Sequence, residues 1–317
     1  MIVSASRRTD IPAFYAEWFM NRVRAGFVLV RNPFNARQVR RVELTPAAVS
    51  AIVFWTRNAG PLLPHLPELE SRGLPCVFQY TITGYPRELE PAAPPTHAAL
   101  AALAALSARI GPQRVLWRYD PLLLCDLVDE GAHLRSFGEL AAALAGKTAQ
   151  VTISFVEMYR KSVRNLARAP GLGVVDRDPV RLRALAARLA EIAKANGIAM
   201  RSCACGEDLS AVGIAPGACV DGELLAQLFG AAAPVGRDKG QRPSCRCAKS
   251  ADIGQYDTCV HGCAYCYATS DALRAAANRA AHDPQSPLLT GWPDSPAPGA
   301  GASSSARPGG TRQGTLI

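Results

Sequence analysis

Short apolar runs alternate with helical segments along the first 201 residues, and this alternation is the strongest constraint on the fold. The runs span residues 2–5, 27–31, 52–55, 76–82, 115–119, 151–155 and 198–201, with helical patterns at 12–24, 97–110, 137–145 and 180–196. Alternating strands and helices are typical of a parallel sheet covered by helices. Because the runs are continuously apolar, we expect strands that are buried on both faces. The sequence therefore predicts an α/β fold, a complete or partial parallel (β/α) barrel of the TIM type, with an open doubly wound sheet as the alternative.

The amino-acid composition of the chain changes near residue 202. Eight of the ten cysteines lie between Cys203 and Cys266, and the chain becomes rich in Pro, Gly and Ser after residue 283. We therefore predict barrel units over 1–201, a cysteine-rich region that completes the barrel over 202–282, and a disordered tail over 283–317. A chain of 317 residues can bury a core without disulfides, so clustered cysteines indicate metal binding in the reducing cytoplasm. Neither a signal peptide nor a membrane-spanning run is visible, and we expect no membrane partner.

Polar residues follow the predicted strands at the edge where parallel α/β folds place their chemistry. The candidates for catalysis or substrate binding are Arg7, Arg8, Asp10, Arg118, Asp120 and Glu157. Arginine side chains at equivalent strand ends could hold an anionic small molecule through paired hydrogen bonds. The alternative interpretation is that these are ordinary polar loop residues and that Arg–Asp pairs brace the mouth of the barrel.

The most specific motif is a C-x3-C-x2-C loop formed by Cys259, Cys263 and Cys266, with Tyr265 directly before the last cysteine. Three thiolates on one loop can bind three irons of a [4Fe–4S] cluster, which leaves the fourth iron open to a small molecule. This is the spacing of radical S-adenosylmethionine enzymes, in which the open iron binds S-adenosylmethionine and an electron cleaves it to a 5′-deoxyadenosyl radical. The alternative is a zinc site, for which His261 could supply the fourth ligand.

A second group of cysteines lies upstream of this loop. Its five members are Cys203, Cys205, Cys219, Cys245 and Cys247. Any four of them could complete a tetrahedral zinc site or a fully ligated [4Fe–4S] cluster. The one-residue gaps at 203–205 and 245–247 are short for a zinc knuckle and favour iron–sulfur. The remaining thiols, Cys76 and Cys125, have apolar neighbours and are predicted to be core residues.

Four segments of the sequence resemble one bacterial family. They are Ser-Ala-Ser-Arg-Arg-Thr-Asp-Ile-Pro at 4–12, Phe-Trp-Thr-Arg-Asn at 54–58, Trp-Arg-Tyr-Asp-Pro at 117–121, and Asp-Ile-Gly at 252–254, which leads into the cysteine loop. The chain is thereby similar to the family called domain of unknown function eighteen forty-eight, from its start to about residue 268. The resemblance implies carboxyl-terminal cysteines like those of radical S-adenosylmethionine enzymes, without naming a reaction. It also implies that the upstream ligands are Cys203, Cys219, Cys245 and Cys247, with Cys205 an addition.

The position of the cysteine loop differs from that in ordinary radical S-adenosylmethionine enzymes, which carry it after their first barrel strand. Here residues 251–256, the loop, and the helical segment 270–281 form a strand–loop–helix unit near the carboxyl terminus. We hypothesise a circular permutation, in which this last unit closes the sheet beside residues 2–5 and takes the role of the first unit.

Together these patterns predict a radical S-adenosylmethionine-like iron–sulfur enzyme that acts on a small-molecule substrate, with an electron donor such as a flavodoxin or ferredoxin. The upstream cysteines would hold a second cluster for electron delivery or structure. One alternative is a non-radical iron–sulfur or zinc-binding protein that uses its net charge of +9 to contact nucleic acid. Nucleic acid is not favoured, because the arginines are scattered and no single stretch alternates basic and aromatic residues. Another alternative is a barrel enzyme with structural cysteines, in which Asp10, Asp120 or Glu157 supplies acid–base catalysis.

Overall fold

The computed structural model describes residues 1–230 and 236–293. Its strands are β1 (Ile2–Ala5), β2 (Phe27–Asn32), β3 (Asn35–Glu43), β4 (Ala51–Thr56), β5 (Cys76–Thr81), β6 (Val115–Arg118), β7 (Gln150–Ile153), β8 (Ala199–Cys203), β9 (Ala215–Gly217) and β10 (Ser250–Asp252). Eight of them form one sheet in the order β10-β1-β4-β5-β6-β7-β8-β9, and all neighbours run parallel. The predicted α/β class is confirmed. The sheet is compatible with a TIM-like barrel, but within the described residues β9 and β10 do not pair, so it is not closed.

The helices that accompany this sheet begin mostly at identifiable capping residues. They are α1 (Ile11–Phe14), α2 (Ala16–Ala25), α3 (Leu66–Ser71), α4 (Thr96–Ile110), α5 (Glu130–Leu144), α6 (Arg160–Leu166), α7 (Pro179–Ala195), α8 (Gly222–Phe229) and α9 (Ala272–Ala280), with short 3₁₀ turns at Gly60–His65, Pro112–Arg114 and Ser210–Val212. The single helix predicted over 12–24 is divided at Tyr15, whose φ of −136° is not helical. The helix predicted from residue 137 starts at Glu130, because the Asp129 carboxylate caps it by accepting from the Ala132 N–H. No helix in the described ranges is long and apolar enough to span a bilayer.

The apolar run at 27–31 does not join the main sheet, which corrects the sequence prediction. It forms β2, which pairs antiparallel with β3 in a separate two-stranded hairpin. The strand β3 carries three arginines and few apolar residues, and its first seven residues are exposed. It was not predicted, because its strand conformation depends on pairing with β2 rather than on a buried apolar face.

The two faces of the main sheet pack against different material. The side chains of Val3, Phe54 and Phe78 lie in the large outer core with the helices. The side chains of Ile2, Val53 and others that alternate with them lie in a smaller inner core, together with several upstream cysteines. The cysteines predicted to be core residues, at positions 76 and 125, are both buried. The alternation of side chains along β8 places Cys203 in this smaller core, and Cys219, Cys245 and Cys247 reach the same core from segments outside the strands.

The last strand–loop–helix unit lies where the permutation hypothesis requires it. Strand β10 pairs parallel with β1, with Ile2 opposite Ser250 and Ser4 opposite Asp252. The strand is shorter than the predicted 251–256, and the helix that follows the cysteine loop is α9. Because β10 and β1 are parallel neighbours, the cysteine loop and the segment after β1 emerge at the same edge of the sheet.

The segment 283–293 packs against the body, so the prediction that disorder begins at residue 283 is wrong for these residues. The indole N–H of Trp18 donates to the carbonyls of Ser286 and Leu288, at 2.9 and 3.1 Å. Leu288 and Leu289 are buried. The rest of the predicted tail, residues 294–317, lies outside the described residues.

Candidate functional site

The loop of Cys259, Cys263 and Cys266 is a tight, half-buried turn at the carboxyl edge of the sheet. The backbone N–H of Cys266 donates to the carbonyl of Cys263 at 3.0 Å. Gly262 has a φ of +72°, and a Cβ atom there would lie 3.0 Å from Cγ of Pro91. The loop therefore needs glycine both for its backbone conformation and for its close approach to the neighbouring chain.

The three thiols of this loop are close enough to influence one another electrostatically. Burial raises the pKa of Cys259, and the charge of Asp10 and the other two thiols raises it further. Burial also raises the pKa of Cys263 to about 12, although the neighbouring Arg57 guanidinium opposes the rise. A metal group would have to displace these thiol protons in order to bind, which is the usual linkage between metal affinity and pH.

The His261 side chain lies inside the same loop, and both of its ring nitrogens contact oxygen atoms of other segments. Its Nε2 lies 2.8 Å from Oδ2 of Asp10, and its Nδ1 lies 3.3 Å from the carbonyl oxygen of Ala92. The ring also packs against Phe14, with the ring centroids 4.6 Å apart. Both ring nitrogens lie within hydrogen-bond distance of these oxygen atoms, so His261 could bind a metal ion only by giving up one of the two contacts. These contacts disfavour His261 as the residue that could supply a fourth zinc ligand, and the zinc alternative stays a prediction.

Asp10 is surrounded by hydrogen-bond donors from three elements. Its Oδ1 accepts from the Thr56 hydroxyl at 2.7 Å and from the Ala13 N–H at 3.0 Å. Its Oδ2 accepts from the Arg57 N–H at 2.7 Å and from His261. The carboxylate is buried and fully occupied, so Asp10 joins α1, the end of β4 and the cysteine loop. Asp10 thereby positions the loop, and its predicted contact with a substrate stays a prediction.

A buried ion pair supports Tyr265 of the cysteine motif. The Nη1 and Nη2 atoms of Arg57 each donate to one carboxylate oxygen of Glu90 at 2.8 Å, and the Thr83 hydroxyl donates to the same carboxylate at 2.6 Å. The Tyr265 hydroxyl contacts both members of the pair. Burial alone would lower the pKa of Arg57, but the charge of Glu90 raises that pKa well above the ordinary value. A cavity of about 180 Å³, lined by Tyr85 and this ion pair, lies alongside.

Asp252, at the end of β10, connects the first and last strands. Its carboxylate accepts from the hydroxyls of Ser4 and Ser6 at 3.0 and 2.7 Å and from the Arg7 N–H at 2.9 Å. Arg8 lies 3.9 Å from the same carboxylate. The motif Asp252-Ile253-Gly254 entered the sequence prediction only as a family resemblance, and no role was predicted for the aspartate. Its partners lie about 250 residues away in the chain, a separation at which no local pattern can indicate a contact.

Four of the five upstream cysteines come together at the open seam of the sheet. They are Cys203 at the end of β8, Cys219 after β9, and Cys245 and Cys247 before β10. The Sγ atoms of Cys203 and Cys219 are 2.7 Å apart, and all four residues are buried. Hydrogen bonds from the other three thiols lower the pKa of Cys247. These are the four residues that the family resemblance implies as ligands.

Cys205 lies apart from this group. Burial raises the pKa of its thiol to about 11, and the charged groups near it are Asp120, Arg242 and Glu157 rather than other thiols. Glu157 itself pairs with Arg242 at 2.9 Å, and its side chain is 46% exposed. The structure thus places Glu157 in a surface ion pair, whereas Asp10 and Arg118, with which it was grouped, are buried.

One of the predicted pocket arginines, Arg118, contacts an upstream cysteine directly. Arg118 donates to Sγ of Cys219 at 2.7 Å and also pairs with Asp120. Asp120 accepts a further hydrogen bond from Ser154. Arg118 is buried, and burial alone would lower the pKa of its guanidinium. The charges of Asp120, Cys219 and Cys203 outweigh this effect and raise the pKa well above the ordinary value. Arg118 and Asp120 are thus bonded to each other, to Cys219 and to Ser154, and their role in a substrate pocket stays a prediction.

Arg7 reaches the same inner region from the opposite side. Its guanidinium carbon lies 5.3 Å from the Trp55 ring centroid, and that of Arg118 lies 5.1 Å from the same ring. Burial opposes its charge, but Cys247, Asp252 and Cys219 raise its pKa. Its Nη2 atom is buried without a hydrogen-bond partner among the described residues. The arginine main chain also accepts from the Tyr267 hydroxyl at 2.9 Å, so Arg7 connects the two cysteine groups.

No group of three or more Cys, His, Asp or Glu side chains in residues 1–230 and 236–293 surrounds a point that suits a single metal ion. In the upstream group the sulfur atoms contact each other directly. In the loop the three thiols are suited to a cluster, which binds each thiolate at a separate iron. The donor set of both groups, buried or half-buried thiols with arginines nearby, fits iron–sulfur ligation.

A model of the family described as Domain of unknown function (DUF1848) matches residues 2–268. The chain belongs to this family. The match confirms the resemblance found from the motifs, and it includes both cysteine groups of the DUF1848 protein while ending two residues after Cys266. No curated protein and no solved structure matches the chain.

Proposed function

We propose that this DUF1848 protein is a radical S-adenosylmethionine-type iron–sulfur enzyme that acts on a small-molecule substrate. The observation that carries the proposal is a loop with three thiols, at the carboxyl edge of a parallel sheet, whose only histidine is held by Asp10 and Ala92. A [4Fe–4S] cluster on Cys259, Cys263 and Cys266 would keep one iron open for S-adenosylmethionine and would supply the electron that cleaves it to a 5′-deoxyadenosyl radical.

The protein's own contribution at this loop is to orient it. His261 and Asp10 join it to α1 and β4, while Glu90 and Arg57 hold the Tyr265 side chain that precedes the last cysteine. The Arg57 charge lowers the pKa of the adjacent Cys263 thiol relative to burial alone and so favours the thiolate that a cluster needs. These buried contacts fix the loop before any cofactor binds, which is how rigid sites limit the entropic cost of binding.

The upstream group would hold a second metal group, either a fully ligated [4Fe–4S] cluster or zinc. Four thiolates around such a group carry excess negative charge, and the guanidiniums of Arg7 and Arg118 lie beside them to balance it. The link through Arg7 between the two cysteine groups supports a role in electron delivery to the loop, with a flavodoxin or ferredoxin as the external donor.

A barrel enzyme that uses Asp10 or Asp120 as an acid–base group has less support. Both carboxylates already accept hydrogen bonds from neighbouring side chains, including Thr56 in one case and Arg118 and Ser154 in the other. A general base needs a position within reach of a substrate proton.

The test is anaerobic reconstitution followed by addition of dithionite and S-adenosylmethionine. We expect about eight irons per chain if both groups hold [4Fe–4S] clusters, or about four with zinc upstream, and formation of 5′-deoxyadenosine. Cys263→Ala should abolish 5′-deoxyadenosine, while the matched variant Cys205→Ala should not. Wild-type protein that carries intact clusters but forms no 5′-deoxyadenosine would refute the proposal.

A further inference from the structure

We propose that the hairpin of β2 and β3 binds nucleic acid that contains unpaired bases. Residues 31–42 of this hairpin include four arginines and no acidic residue. The chain as a whole carries a net charge of +9, so an anionic partner meets no opposing field. The inference concerns a surface that the proposed radical chemistry does not use.

The hairpin projects from the body of the molecule. It belongs to a separate two-stranded sheet, and residues 35–41 are exposed on both faces of the strand. At its base Val28 and Val42 are buried, and the Leu29 N–H donates to the carbonyl of Pro287 at 2.9 Å. The base is thus anchored in the core, while the outer part of the hairpin contacts solvent on both sides.

An aromatic side chain stands at the tip of the hairpin. Phe34 is 81% exposed, and its backbone N–H donates to Oδ1 of Asn32 at 2.9 Å, so an ordered turn presents the ring. A second aromatic residue, Trp292, is 46% exposed, and its carbonyl accepts from Arg31 at 2.7 Å. A single exposed apolar residue needs no explanation, but two aromatic rings beside an arginine-rich strand form a specific surface.

Two of the arginines have side chains that internal contacts do not occupy. Arg41 pairs with Glu43 at 2.6 Å and lies over the Phe27 ring, so it serves the hairpin itself. Arg37 and Arg40 are exposed, and no acidic side chain in the described parts of the chain pairs with either. Guanidinium groups bind phosphate oxygens through paired hydrogen bonds, and they are the expected phosphate contacts here.

Basic groups that follow a phosphate backbone, together with an aromatic ring that stacks on bases, are the two components of single-strand recognition. A fully paired duplex offers phosphates but no free base face, unless an apolar side chain inserts between base steps. The combination of Arg37, Arg40 and Phe34 therefore favours unpaired over paired nucleic acid. In the sequence the arginines looked scattered and nucleic acid was not favoured, whereas the folded hairpin brings three of them onto one exposed strand beside an exposed aromatic tip.

The test measures binding of the full-length, cluster-loaded protein to a fluorescent single-stranded oligonucleotide and to its duplex, by anisotropy between about 50 mM and about 200 mM salt. We expect tighter binding to the single strand. Arg37→Ala/Arg40→Ala should reduce the slope of log K against log salt by about 1.4, since each phosphate contact on a single strand contributes about 0.7. Phe34→Ala should weaken single-strand binding about tenfold without changing that slope.

A matched control removes two exposed arginines from elsewhere on the surface. Arg177→Ala/Arg188→Ala lowers the net charge equally and should leave the salt slope unchanged. Three results would each overturn the proposal. They are an equal reduction of the salt slope in this control, no binding of the wild type to the oligonucleotide at low salt, and binding only to vesicles of anionic phospholipid. Formation of 5′-deoxyadenosine by the hairpin variants should equal that of the wild type, which separates this proposal from the proposed enzyme function.

Discussion

The buried pair of Arg57 and Glu90 provides the sharpest quantitative prediction. Glu90→Gln keeps the side-chain shape but places an amide NH₂ against a guanidinium N–H that now contacts a carboxylate at 2.8 Å. The charge of Arg57 would then be buried without its counterion. Breaking one partner of such a pair costs about 3–5 kcal/mol, which is a large share of the roughly 5–15 kcal/mol that stabilises a typical domain.

The double variant Arg57→Met/Glu90→Leu removes both charges together. Its loss of unfolding free energy should be much smaller than the sum of the losses in the single variants Arg57→Met and Glu90→Leu. We expect a coupling energy of about 2–3 kcal/mol, measured from urea unfolding of the cluster-free, reduced protein. The slope of the unfolding free energy with urea should stay the same, because the exposed area does not change. Additive single-variant effects, or a Glu90→Gln cost below about 1 kcal/mol, would refute our account of this pair.

Three further predictions concern the loop, the upstream group and pH. Gly262→Ala should lower the free energy of unfolding by about 1–3 kcal/mol, because φ there is +72° and Pro91 limits the space. The variant should also bind less iron after reconstitution, and an unchanged iron content would contradict this prediction. Cys219→Ser should lose one metal group by elemental analysis while Cys205→Ser keeps the wild-type content, and equal contents would contradict the grouping. Burial lowers the pKa of His133, so below pH about 6.5 the unfolded chain binds a proton that the folded chain excludes. Stability should therefore be complete above that pH and fall by up to about 1.4 kcal/mol per unit below it, and unfolding at several pH values should show a smaller slope for His133→Gln.

The parallel sheet was predictable because its strands are buried on both faces and leave continuous apolar runs. Strand β2 has a similar run, which is why it was assigned to the same sheet, but its residues alternate between buried and half-buried. Strand β9 is only Ala-Pro-Gly and carries no signal of strand propensity. The pairing of β2 and β9 therefore depends on tertiary packing, and no local sequence pattern indicates it.

The cysteines of the loop could be found from their C-x3-C-x2-C spacing, whereas the choice of Cys203 over Cys205 in the upstream group came from the family resemblance. Their supporting residues could not be found in this way. Glu90 lies in the segment after β5 and meets Arg57 only in the folded chain. Arg118 was correctly noticed at a strand end, but the sequence could not show that its guanidinium faces Cys219 instead of a cavity.

The pairing of β10 with β1 means that β1 obtains one of its two neighbours in the sheet only after β10 has been synthesised. The edge of β1 that Ser250, Ala251 and Asp252 cover stays open until nearly four-fifths of the 317 residues have been made. At ordinary synthesis rates that interval is roughly 10–50 s, during which an apolar strand edge is available for wrong pairing. Both cysteine groups are completed by the same late segment. Under the proposed function, metal loading and closure of this edge would therefore fall in a single late stage of biogenesis. Nascent chains that stall before residue 250 should be the ones that require chaperones.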